Sequence, residues 1–87
     1  MTDDETFRRA ILELLQRRDT GKSICPSEAA RAIDAEEWRD LMPGIHHSAR
    51  QLAGEGLIEI CQKGRSVDPV HARGPIRLRL TRSRESD

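Results

Sequence analysis

Eighty-seven residues, 36% hydrophobic and 34% charged, with 15 basic and 15 acidic groups, describe one small neutral domain. A chain of this length has a modest core and no room for a deep catalytic cavity unless it dimerises, and with only Phe7 and Trp38 as aromatics it lacks the platforms that stack single-stranded bases. No apolar run is long enough for a membrane helix, two cysteines make no disulfide framework, and the acidic opening MTDDETF has no apolar signal core, so the expected setting is the cytoplasm.

The first helix is marked at its start by Thr2 and Glu5 at capping-box spacing. Phe7, Ile11, Leu14 and Leu15 follow as one apolar stripe at i, i+4, i+7 and i+8, with Arg8, Arg9, Glu13 and Arg17 on the other side. Gly21 is the stop signal. Ser23-Ile24-Cys25 is too short for a helix and reads as a small strand. Pro26 suits the first position of a second helix, and Glu28 complements the positive end of its dipole. Asp34 and Glu37 repeat the capping-box spacing and open an extra short helix with Trp38, Leu41 and Met42 as its apolar face.

Pro43 then starts the third main helix. Its buried stripe is Ile45, Ala49, Leu52 and Ala53. Gly56 is its left-handed stop, with Leu57 and Leu52 placed for the apolar contact of a Schellman ending. At 100° per residue, His47, Arg50, Gln51 and Gly54 oppose that stripe, and His46 sits at its edge. Ile58 and Ile60 alternate with Glu59 and Cys61, and Ile76, Leu78 and Leu80 alternate with Arg77 and Arg79, giving two half-buried strands. QKGRSVDPVHARG between them reads as a loop, too long for a tight hairpin.

The order helix, short strand, helix, helix, strand, loop, strand is the winged-helix plan. The expected fold is α+β and mainly α: a winged helix-turn-helix with three main helices, one extra short helix and a small antiparallel ribbon carrying a long wing loop. A single domain spans 1–87, with 81–87 a frayed tail. Ile11, Leu14, Leu15, Ile45, Leu52, Ile58, Ile60, Ile76 and Leu78 are the expected core.

SICPSEAARAI (23–33), EEWRDLMP (36–43), QKG (62–64), VDP (67–69) and GPIRLR (74–79) together resemble a small bacterial domain-of-unknown-function family with a winged-helix-like fold. The resemblance runs from Phe7 to Leu80. It implies the fold and a bacterial origin, and it brings no activity, ligand or catalytic residue.

No residue pattern points to catalysis. His46 and His47 project about 100° apart on a helix, and neither H-x-x-x-H nor C-x-x-C spacing occurs, so no metal is expected. Cys25 stands at a helix start, where a thiolate is favoured, but no partner has nucleophile spacing; with Cys61 it reads as a small apolar residue. Trp38, at i, i+3, i+4 with Leu41 and Met42, reads as core. The glycines form no phosphate loop, and no cofactor is implied.

Binding is what remains. Residues 1–44 carry 7 basic and 10 acidic groups, a net of −3, whereas residues 45–84 carry 8 and 3, a net of +5. In a helix-turn-helix protein the recognition helix lies in the major groove, where Arg suits guanine and Gln suits adenine. Arg50 and Gln51 are therefore the candidate base readers, with His47 beside them; Lys63, Arg65 and Arg73 on the wing are candidate phosphate contacts. Arg77 and Arg79 are expected to pair with Glu59 across the ribbon. The leading expectation is a small regulatory protein that binds double-stranded DNA. The alternative is a winged-helix module that docks a protein, as a homodimer or accessory domain, with Leu12, off the main stripe, as the apolar contact.

Overall fold

A computed structural model describes residues 4–18, 22–68 and 74–81. Three helices and four short strands follow in the order α1 (Asp4–Arg17), β1 (Ser23–Ile24), α2 (Pro26–Ile33), α3 (Trp38–Gly54), β2 (Ile58–Gln62), β3 (Arg65–Ser66) and β4 (Arg77–Leu80). The fold is α+β and mainly helical, with one small antiparallel sheet in the strand order β1-β4-β2-β3. No described helix is long and apolar enough to cross a membrane. Thr2, Gly21, His71, Arg73 and residues 82–87 lie outside the described residues.

The sheet presents its apolar face to the helices. Ile24, Leu78 and Ile60 pair in one row across β1, β4 and β2, and all three are buried. Alternation turns their neighbours to the opposite face, where Ser23, Arg79 and Glu59 form the next row. Phe7, Ile11 and Leu15 of α1, Ala29 and Ala30 of α2, and Ile45, Ala49 and Leu52 of α3 complete the core above the sheet. Leu14 and Ile76 are half-buried at its margin, as is Leu12, which packs against the core.

Helix ends follow local chemistry. At the start of α2 the Glu28 carboxylate accepts the Cys25 N–H at 2.9 Å, so Glu28 closes the N-terminus directly as well as complementing the dipole. At the end of α3 the Leu57 N–H reaches the Leu52 carbonyl at 3.1 Å and the Gly56 N–H reaches Ala53 at 3.0 Å, with Gly56 at φ +82°. This is the Schellman ending, and it aims the chain into β2.

Two sequence expectations are corrected. The extra short helix and the helix opening at Pro43 are one continuous element, α3, with Pro43 inside it. A proline ring at that position removes the bond to the Arg39 carbonyl. Arg39 and Pro43 are both exposed, so water can satisfy that carbonyl. Asp34 instead caps the turn before α3: its Oδ1 accepts the N–H groups of Glu36 and Glu37 at 3.0 and 3.1 Å. The second correction concerns the segment after β2. A tight two-residue turn at Lys63-Gly64 folds β3 back on β2, pairing Gln62 with Arg65 and Cys61 with Ser66. Both turn residues have positive φ, +52° and +81°, as a type I′ turn requires. The Thr81 N–H donates to the Leu57 carbonyl at 3.1 Å, which ties the end of β4 to the start of β2.

Candidate nucleic-acid interface

Burial of one side of α3 fixes what the other side shows. Ile45, Ser48, Ala49 and Leu52 are fully buried. Arg39, Pro43, His47, Arg50, Gln51 and Gly54 are exposed. The three expected reading residues, His47, Arg50 and Gln51, therefore share one solvent-facing side of a rigid helix. His46 is half-buried; burial lowers its pKa from the ordinary value, and the nearby Arg50 charge lowers it further.

The N-terminal end of α3 adds two cations that the sequence reading did not single out. The guanidinium groups of Arg31, on α2, and Arg39 lie 4.4 and 4.5 Å from the centre of the Trp38 ring. Trp38 is half-buried against the core and holds both cations by its ring face. Arg39 lies eleven residues before Arg50, three helical turns away on the same exposed side. The exposed i, i+11 spacing was legible; the Arg31 contact crosses the α2–α3 turn and had no sequence signal.

Two acidic groups, Glu55 and Glu59, are paired, while Asp40 on α3 is exposed. Glu55, just past α3, receives two hydrogen bonds of 2.8 Å from Arg8 on α1. That Arg8 contact holds the Glu55 carboxyl below its usual range. On the sheet, Glu59 accepts Arg79 Nε at 3.0 Å and Nη2 at 2.6 Å. The pairing with Glu59 raises the Arg79 pKa further above its usual value. Arg77 does not join this pair; it donates to the Ser23 hydroxyl at 2.7 Å and the Ser23 carbonyl at 3.1 Å. Arg79 and Arg77 thus brace the sheet.

Lys63 and Arg65 remain exposed on the β2–β3 hairpin, with Lys63 at its tip. Arg73 lies outside the described residues. The structure brings His47, Arg50 and Gln51 together on α3 and Lys63 and Arg65 together on the hairpin.

A family model described as a protein of unknown function, DUF3253, matches residues 4–81. The chain belongs to the DUF3253 family. No curated protein matches it. In this DUF3253 chain the matched span opens on the first residue of α1 and closes on Thr81, whose N–H donates to the Leu57 carbonyl.

Other chemistry in the DUF3253 chain is limited. Among the described residues no group of three or more His, Cys, Asp or Glu side chains could hold a metal ion. Cys25 precedes α2, and the Ser27 hydroxyl donates to its sulfur at 3.2 Å. Cys61 is buried, and burial pushes its thiol pKa up, which disfavours the nucleophilic thiolate.

Proposed function

We propose that this DUF3253 domain is a winged-helix protein of the cytoplasm that binds double-stranded DNA and acts in regulation, through binding and not catalysis. In this reading α2 and α3 are the helix-turn-helix, α3 is the recognition helix, and the β2–β3 hairpin is the working part of the wing. The element order α1-β1-α2-α3 followed by antiparallel strands supports it.

The observation that carries the proposal is Lys63. A type I′ turn favours Asn, Asp or Gly at its first central position, because a Cβ in the left-handed region costs roughly 1–2 kcal/mol. This chain places a lysine there, at φ +52°, on an exposed hairpin tip. Backbone strain at an exposed tip is best explained by what the side chain does, and a lysine on a projecting hairpin is suited to phosphate. Arg65 supplies a second cation on the same hairpin, and Arg39 and Arg50 supply two on α3. Arg50 and Gln51 are assigned to base edges, and His47 to a phosphate or base beside them.

A second reading, a winged-helix module that docks protein, has one observation in its favour. The exposed side of α3 also carries Asp40, so its charge is only mildly positive. The argument for a homodimer through Leu12 is weakened, since Leu12 packs partly against the core. Titration of labelled duplex DNA at several salt concentrations separates the two readings. DNA binding gives a steep salt dependence, and the protein-docking reading gives no complex even at low salt.

A further inference from the structure

The sheet carries a cleft of about 1020 Å³, which shares Lys63 and Arg65 with the wing of the duplex-binding reading. That volume matches the upper end of small-molecule sites, roughly 300–1,000 Å³. Its less exposed lining includes apolar groups, the buried Cys61 and the half-buried Val67 and Ile76, beside the half-buried Ser23, Gln62 and Arg79. Its exposed lining includes three cations, Lys63, Arg65 and Arg77, beside Gly64 and Pro75. Among the described residues no carboxylate lines it. Glu59, in the same row of the sheet as the lining residue Arg79, is already held by it.

The cations are placed to receive a charge. Arg77 uses Nε and Nη2 on Ser23, so its position is fixed while Nη1 has no partner among the described residues. Lys63 and Arg65 likewise have no ion-pair partner among the described residues. Arg77 pairs across the sheet with Cys61, which places a fixed guanidinium directly beside the apolar lining. A braced arginine beside apolar surface favours a ligand with one anionic head and one apolar body, because the head gains charge-assisted hydrogen bonds and the body leaves water.

We propose that this cleft binds a small organic anion, an apolar body carrying a single carboxylate or phosphate head, with Arg77 and Arg65 on the head and Cys61, Val67 and Ile76 around the body. The two heads share one chemistry here, and the test separates them.

The experiment follows backbone amide resonances of the full 87-residue chain during titration with benzoate, phenyl phosphate, inorganic phosphate and benzyl alcohol. Saturable shifts at Cys61, Val67 and Arg77 are expected with benzoate or phenyl phosphate, and the tighter of the two names the head. Inorganic phosphate and benzyl alcohol each supply half of the chemistry and are expected to bind at least about tenfold more weakly, since a charged hydrogen bond or a buried ring is each worth more than about 1.4 kcal/mol. Arg77→Gln should weaken the better anion by about tenfold or more. Arg65→Ala, at an exposed position that carries little of the fold, should weaken it several-fold and covers the case in which Arg77→Gln unfolds the sheet. Failure of both organic anions to saturate overturns the proposal. So does equal binding by benzyl alcohol or by inorganic phosphate, or unchanged affinity in a folded Arg77→Gln protein.

Discussion

The ring of Phe7 lies against the backbone of Gly44, so close that a methyl group built at Gly44 would clash with Phe7 Cε2 and stand 2.7 Å from Cζ. This is where α1 meets α3. Glycine in a helix interior is ordinarily a liability of about 1 kcal/mol against alanine. Here it permits the approach that buries Phe7. Gly44→Ala should therefore destabilise the protein, because overpacking of about 1–3 kcal/mol exceeds the helix-propensity gain of about 1 kcal/mol. Denaturant unfolding of Gly44→Ala, Phe7→Leu and the double variant checks this. The double variant should lose less than the sum of the singles, since leucine removes the ring atoms that clash.

Ser48 is fully buried on the same helix, and its hydroxyl has no hydrogen-bond partner among the described residues. A buried unsatisfied hydroxyl costs roughly 1–3 kcal/mol, and alanine is the better helix former by a few tenths. Ser48→Ala should raise stability by about 1 kcal/mol, read as a higher denaturant midpoint with an unchanged slope. A loss of stability would show that the hydroxyl is bonded after all.

Lys63 separates fold from function. Lys63→Asn places a residue that tolerates the left-handed region at φ +52°, so the hairpin should gain about 0.5–1 kcal/mol. The same change removes a wing cation, so DNA affinity at low salt should fall. Thermal unfolding and duplex titration on one variant should therefore move in opposite directions. If stability does not rise, the turn is not strained, and the observation that favours a functional lysine is lost.

The contrast between what could and could not be read from the residues follows from range. The α3 stripe and its Schellman ending were legible because period 3.6 and a left-handed glycine are local signals, and Leu52 is fully buried as that pattern requires. The exposed set of His47, Arg50 and Gln51 followed by subtraction. Pro43 misled because its N1 preference is a local rule, overridden when the helix around it packs as one unit. The Lys63-Gly64 turn was hidden because lysine is an uncommon residue for it, and β3 has only two residues. Arg8 to Glu55 and Arg31 to Trp38 are contacts between elements, which no spacing in one segment can report.

His46 gives the fold a pH dependence of defined sign. Its folded pKa lies below the ordinary value of 6.5, mainly through burial. The unfolded chain therefore binds the proton more readily, and stability rises with pH in this window. The contribution is fully present above about pH 6.5 and is lost as pH falls through the lowered folded value. Unfolding midpoints should drop from pH 7.5 to about pH 5 in the wild type. His46→Gln should flatten that part of the curve.

The most direct test of the DNA reading is the slope of log affinity against log salt for a random-sequence duplex, measured for the wild type and for the Lys63→Ala/Arg65→Ala variant. Each phosphate neutralised contributes about 0.9 to that slope, so losing two wing contacts should flatten it by about 1.8 and weaken binding to all sequences alike. Arg50→Ala should instead blunt discrimination at one base pair by about 1–3 kcal/mol. A wild-type protein that binds no duplex at low salt, or a double variant whose salt slope equals that of the wild type, would contradict the account.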